Sequence, residues 1–388
     1  MMHSRLALAA AAAACTLAAS QAPPAPLPTF APVAARGGLV FVSGILPAAP
    51  DAGGLTVQAT QVLDELKSRL ASAGTSMDQV VSTSVYLADA RDFAELNAVW
   101  ASYWPASPPA RTTVVARLPA TGARIQVSAV AAAAGTGRAA VLPKGWASPS
   151  GPLSYAVRAG DTLYLSGLVP RRGADNSLVQ GDIEAQTNAV FENAGAILTA
   201  AGLTLADVVS ARVFLADGAA FERMNAAYRT RFPVDPPARA TVITPLVSPD
   251  FLIEITMVAA RGSGRAAVLT PGADGAPGRP NPNLSSAIRI GPRLFLSGML
   301  GVLPGNASDA AGQTTETLNR LERTLKAAGL GWPDVAESVV YVTDVAAANE
   351  VLKVFAARTG GRMAPGTIVG TGLVSAEGRV EIMLTAGQ

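Results

Sequence analysis

The sequence predicts an α+β protein made of three tandem copies of one unit. Three observations carry this reading. The chain has 388 residues, a length for two or three domains. One strand-and-turn motif occurs three times, as GGLVFVSGILP (37–47), GDTLYLSGLVP (160–170) and GPRLFLSGMLG (291–301). A helical stretch ending in Gly follows each one, so the repeat is larger than a single hairpin.

The elements follow in a fixed order. Apolar residues alternate into a Ser-Gly pair in each motif, which is the period of a strand with a bend or close approach at its end. The pairs are Ser43-Gly44, Ser166-Gly167 and Ser297-Gly298. QATQVLDELKSRLASAG (58–74), QTNAVFENAGAILTAAG (186–202) and QTTETLNRLERTLKAAG (313–329) have apolar residues at helical spacing. Val62, Leu66 and Leu70 line one face of the first, and Gly74, Gly202 and Gly329 are expected as left-handed C-caps. A strand comes next (VVSTSVYLAD, VVSARVFLAD, AESVVYVTD), then a second helix around DFAELNAVWASYW, AFERMNAAYRTRF and AAANEVLKVFA. An arginine segment and a closing strand complete the unit. The order is β-α-β-α-β-β, with a further strand near the start. Boundaries are expected at 21–136, 137–263 and 264–388; GRAAVLPKG (137–145) and GRAAVLTPG (264–272) read as repeated linkers.

Residues 1–20 read separately. A short basic start, an apolar run and small residues make a secretory signal peptide, with cleavage after Ser20. An exported, periplasmic protein is expected; Cys15 offers the alternative of lipid attachment. Cys15 is the single cysteine and His3 the single histidine, and both fall inside this segment. The mature chain would then lack disulfides, Cys/His metal sites, thiol nucleophiles and histidine triads. A net charge of +2 argues against a nucleic-acid footprint.

The strand ending Ser-Gly, the helix ending Ala-Gly, the Asn-Ala-x-Tyr/Trp helix and the P-x-R segment before two closing strands together resemble the Rid (reactive intermediate deaminase, RidA/YjgF-type) family. The resemblance covers nearly the whole mature chain three times. It implies chorismate-mutase-like units joined as an intramolecular pseudo-trimer, hence a monomer, with pockets between neighbouring units. It also implies hydrolysis of reactive imines and enamines of amino acids to 2-keto acids and ammonia, without cofactor or metal.

The resemblance marks the site residues. Arg111 and Arg239 match the family arginine that clamps a substrate carboxylate, and Gly366 stands there in the third unit. Fifteen residues beyond them lie Gln126, Glu254 and Glu381. A glutamate there would orient water and shuttle a proton; Gln126 could hold water but not take its proton. Tyr155 matches a tyrosine that packs beside substrate, with Phe30 and Ser286 nearest to that place in the other units. Asn97 and Asn225 would hold the pocket, and Ser43, Gly44, Ser166 and Gly167 would present backbone groups to substrate. Arg362 is a candidate stand-in for the missing third arginine. Within any one unit the set is divided: Arg111 with Gln126, Arg239 with Glu254, and Glu381 with no arginine. Which units pair stays open. So do two other functions, a non-catalytic carboxylate-binding scaffold and a related C–N hydrolase.

Overall fold

A computed structural model describes residues 29–50 and 53–387. The expected signal peptide, its cleavage point and Cys15 lie outside the described residues.

Each unit folds as an antiparallel hairpin, a helix, a strand, a second helix and two closing strands. In the first these are β1 (Val33–Arg36), β2 (Leu39–Ile45), α1 (Leu55–Ser72), β3 (Val80–Leu87), α2 (Phe93–Tyr103), β4 (Ala110–Val115) and β5 (Ile125–Ala132). The sheet order is β1-β2-β5-β3-β4, with β3 and β4 parallel. The second unit has β6 (Arg138–Val141), β7 (Ala156–Ala159), β8 (Thr162–Leu165), α3 (Ile183–Ala200), β9 (Val208–Leu215), α4 (Phe221–Arg231), β10 (Ala238–Ile243) and β11 (Ile253–Ala260). The third has β12 (Ala266–Val268), β13 (Ala287–Ile290), β14 (Arg293–Leu300), α5 (Ala310–Ala327), β15 (Val335–Val342), α6 (Ala348–Arg358), β16 (Gly366–Gly370), β17 (Gly372–Leu373) and β18 (Val380–Ala386). The GRAAVL segments are more than linkers: β6 and β12 are edge strands on the sheets of the following units.

Both helices of a unit cover one sheet face. Val62, Leu63, Leu66 and Leu70 of α1 are completely buried against β2, β3 and β5. Each such side chain contributes about 1.5–3 kcal/mol of transfer free energy. Gly74, Gly202 and Gly329 take φ of +74°, +69° and +72°, as C-cap glycines do.

The other sheet faces meet along a common axis. Tyr86 and Val114, Phe214 and Val242, and Tyr341 and Met383 form one apolar cluster drawn from all three units. This double burial leaves all eight residues of β3 buried. Where the axis is not filled, a cavity of about 60 Å³ is lined by Ser82, Ser84, Arg212, Thr256, Glu337 and others. Arg212 donates to Ser84 Oγ at 2.9 Å. Burial raises the Glu337 carboxyl above its usual range, and Arg212 opposes that rise. A symmetric trimer would bring three arginines together here, whereas a fused chain places one arginine and one glutamate.

The ring closes through one repeated joint. Ser166 Oγ accepts from Arg111 N (2.9 Å) and donates to Ser154 O (2.6 Å). Ser297 Oγ does the same with Arg239 N (2.7 Å) and Ser285 O (2.6 Å). Ser43 Oγ joins Gly366 N (2.8 Å) to Ala31 O (2.6 Å). Unit 1 therefore meets unit 2, unit 2 meets unit 3, and unit 3 returns to unit 1. At each joint the Ser-Gly pair interrupts regular pairing, with register shifts at Val42/Ile45 and Leu296/Met299.

Candidate active site

The joints distribute the expected residues in a way no single unit reveals. β4 carries Arg111 to the first joint, where β11 of unit 2 supplies Glu254. β10 carries Arg239 to the second, where β18 of unit 3 supplies Glu381. The third brings Gly366 together with Gln126. The missing arginine and the missing glutamate therefore belong to the same joint, and the other two joints are complete.

At the first joint Arg111 is 2% exposed. Its Nη2 donates to Asn97 Oδ1 at 2.6 Å, and its guanidinium lies 5.3 Å from the Trp100 ring centre and 5.5 Å from that of Phe93. Nε and Nη1 are buried without a partner. Buried donors are normally satisfied; these two flank Nη2 on either side, so each can form a fork only together with the second Nη2 hydrogen. Burial lowers the Arg111 pKa to about 10, with Glu254 opposing.

Glu254 is 3% exposed and accepts from Thr113 N at 3.3 Å. Burial raises its pKa to about 8; the Thr113 N–H, Arg111 and Arg212 act against the rise. The carboxyl lies directly over Gly167, where a Cβ would come 1.8 Å from Oε1. This close approach is the reason for glycine in the Ser-Gly pair. Arg111, Thr113, Gly167 and Glu254 line one cavity of about 290 Å³, with Phe93, Leu153, Val169, Arg171, Val247 and Phe251 among its other walls.

The second joint repeats the arrangement. Arg239, 1% exposed, donates from Nη2 to Asn225 Oδ1 at 2.8 Å, and its guanidinium lies 4.5 Å from the Tyr228 ring centre. Its Nε and Nη1 are again buried orphans, as is Glu381 Oε2. Burial lowers the Arg239 pKa and raises that of Glu381 to about 8. A Cβ on Gly298 would come 1.8 Å from Glu381 Oε1.

The third joint is filled. A Cβ on Gly366 would meet the Phe30 ring at 2.6 Å, so Phe30 occupies the space where an arginine would begin. Its ring stands edge-on to Phe355, with centres 6.0 Å apart. Thr113 and Thr241 have Ile368 as their register equivalent there. Arg362 does not replace the lost arginine; it is exposed.

Several expectations need correction. The backbone N–H groups of Ser43, Ser166 and Gly167 donate to Pro32 O, Tyr155 O and Arg111 O, and the two serine hydroxyls are engaged at both ends by the joints, so these groups are not free for substrate. Gly44 lies beneath Gln126 at the filled joint, where a Cβ would come 2.7 Å from Nε2. Tyr155 is set back from the Arg111 cavity. It donates to Asn176 Oδ1 at 3.0 Å, packs edge-on against Trp146, and lines an adjoining cavity of about 80 Å³. Register places Pro32 and Ser286 at its position, because Ser43, Ser166 and Ser297 donate their N–H to Pro32, Tyr155 and Ser286. Phe30 is two residues earlier, level with Leu153. The sequence reading missed Thr113 and Thr241, which donate to the glutamates, and Phe93, Phe221, Trp100 and Tyr228, which hold the guanidiniums. Their repetition at one helix spacing, Phe93 to Trp100 and Phe221 to Tyr228, was an available signal.

A family model described as Endoribonuclease L-PSP matches residues 20–133, 146–261 and 276–388. The chain belongs to this family, the Rid family, as three tandem units. A RutC family protein of Sulfurisphaera tokodaii is 43% identical over 114 residues, 29% of this chain and 91% of that protein. The 3-aminoacrylate deaminase RutC of Acinetobacter baylyi is 40% identical over 119 residues, 31% of this chain and 94% of its own. Among solved structures, a putative endoribonuclease from Thermotoga maritima is 35% identical, with TM-score 0.31, and covers 32% of this chain and 98% of that one. A chorismatase with TM-score 0.53 and 17% identity covers 80% of this Rid chain and 93% of its own, a likeness of fold. Among the described residues no helix is long and apolar enough to cross a membrane, and no cluster of His, Cys, Asp and Glu could hold a metal.

Proposed function

We propose that the chain hydrolyses 2-imino and 2-enamino acids to 2-keto acids and ammonia at two pockets, Arg111 with Glu254 and Arg239 with Glu381. The carrying observation is the pair of orphaned donors on each buried arginine, set at a joint with a glutamate from the next unit. One orphan, Nε or Nη1, together with the second hydrogen of Nη2 makes the parallel donor pair that suits a carboxylate. Asn97 and Asn225 fix its plane. The family model's description speaks of endoribonuclease, but a deep two-donor clamp in a cavity of about 290 Å³ suits a small acid better than a polynucleotide.

The chemistry balances without oxidant or cofactor. A carboxylate at Glu254 or Glu381 takes a proton from water as its oxygen attacks C2 of the imine. The proton passes to nitrogen to give the carbinolamine; the same carboxylate then takes the hydroxyl proton and delivers it to the amino group as the C–N bond breaks, releasing ammonia and the keto acid. With an enamine, the protonated glutamic acid first delivers its proton to carbon. A carboxyl titrating near 8 can fill both roles near neutrality. The relative named as a 3-aminoacrylate deaminase supports an enamine-type substrate. The third joint takes no part, and the closed ring acts as a monomer.

The test is imine loss with 2-iminopropanoate and 2-iminobutanoate, made in place by an amino-acid oxidase. A rate above buffer that falls in both Arg111→Ala and Arg239→Ala supports the assignment. A rate no faster than buffer refutes it and leaves the carboxylate-binding scaffold or the related C–N hydrolase.

A further inference from the structure

The two joints that hold an arginine and a glutamate differ in charge. At the first, a second arginine, Arg171, lines the same cavity as Arg111. It also lines the adjoining cavity with Tyr155 and an outer groove with Asn188 and Glu192. Arg111 is thus the deep cation, and the half-buried Arg171 stands where the cavity leads outward. Arg171 Nη1 donates to Asn176 O at 2.6 Å, and its guanidinium lies 5.4 Å from the Phe251 ring centre. Those contacts orient it without neutralising it.

The second pocket lacks this pair. Leu168 pairs with Ile255, and Met299 with Ile382, so Val302 is level with Arg171 and Gly378 with Phe251. The nearby charges acting on Arg239 besides Glu381 are Arg229 and Glu222, of opposite sign. A monoanion therefore matches the second pocket. In the first, which has its own glutamate in the same place, it leaves the site one positive charge richer.

We propose that the pocket between units 1 and 2 takes dicarboxylates, 2-imino acids whose side chain carries a second carboxylate held by Arg171, while the pocket between units 2 and 3 takes monocarboxylates. This rests on the deaminase reading for the reaction but not for the ligand class. Phe251 supports the Arg171 guanidinium, and the apolar walls receive the intervening methylenes. Fusion makes the division available, because Arg171 appears once in the chain and not once per pocket.

The experiment isolates the first pocket in an Arg239→Ala background. It compares kcat/KM for the imine of glutamate with that for the imine of norvaline, which has the same chain length and one carboxylate. Adding Arg171→Ala is expected to lower the glutamate-to-norvaline ratio at least about tenfold, equivalent to about 1.4 kcal/mol. Arg171→Lys is expected to restore part of it. A ratio preferring norvaline, or one unmoved by Arg171→Ala, overturns the proposal while the deaminase reading stands. If neither imine is consumed, that reading fails for this pocket, and calorimetry with glutarate and butyrate decides the ligand class. Glutarate binding at least about tenfold tighter, with the preference lost in Arg171→Ala, upholds the dicarboxylate site. Equal affinities, or absence of binding, overturn it.

Discussion

Two double variants, each removing one arginine and one glutamate, should behave oppositely. Arg111→Ala with Glu254→Gln damages the first pocket twice and leaves the second whole. Arg111→Ala with Glu381→Gln damages each pocket once. The magnitude follows from the clamp. Arg111 offers two unpartnered charged donors, and hydrogen bonds to charged groups contribute about 1.5–3 kcal/mol each. Losing both removes about 3–6 kcal/mol, or roughly 10²–10⁴ in kcat/KM. Losing the acid–base carboxyl costs a further factor of about 10²–10⁴ where proton transfer limits the rate. The first variant therefore keeps the full activity of the second pocket, and the other falls at least about 100-fold below it. Reading the mirror pair, Arg239→Ala with Glu381→Gln against Arg239→Ala with Glu254→Gln, covers pockets of unequal speed. The assay is imine loss at fixed enzyme concentration, with circular dichroism to confirm folding. If pockets formed within units, unit 2 alone would hold both Arg239 and Glu254. Arg111→Ala with Glu254→Gln would then be the dead variant and Arg111→Ala with Glu381→Gln the active one. That order would refute the pairing across joints.

Other outcomes follow from the same geometry. With an imine substrate the base must be ionised, so kcat/KM should rise with pH and level off above about 8. Stability should run the other way. Each glutamate titrates near 4.5 when unfolded and about 8 when folded, so its contribution is full below about 4.5 and is lost as pH rises through 8. Denaturation at pH 6 and pH 9 should show Glu254→Gln gaining stability relative to wild type at the higher pH. Gly298→Ala should expel Glu381 and, in an Arg111→Ala background, lower imine hydrolysis at least about 100-fold, with a native circular dichroism spectrum. Phe30→Ala should cost about 2 kcal/mol in urea denaturation, below the 3–5 of a fully buried phenylalanine, because Phe30 is half-buried. Imine turnover should stay within about twofold of wild type, since the joint it fills carries neither arginine nor glutamate.

The sequence alone determined the threefold repeat, the order of elements in each unit, the cap glycines and the fifteen-residue interval from Arg111, Arg239 and Gly366 to Gln126, Glu254 and Glu381. These are local properties: strand and helix periods act over a few residues, and the interval is the reach from one strand to the next around a turn. That interval also misleads. β4 and β5 of one unit lie on opposite sides of β3, so Arg111 and Gln126 serve different joints. Only the closure of the ring decided that Arg111 lies at one joint with Glu254, Arg239 with Glu381, and Gly366 with Gln126. The deciding contacts join distant stretches of chain: Ser43 to Gly366 N, Thr113 N to Glu254, and Phe30 to the space above Gly366. No period or spacing encodes them, because each arises from two sheet faces that meet only after both have folded.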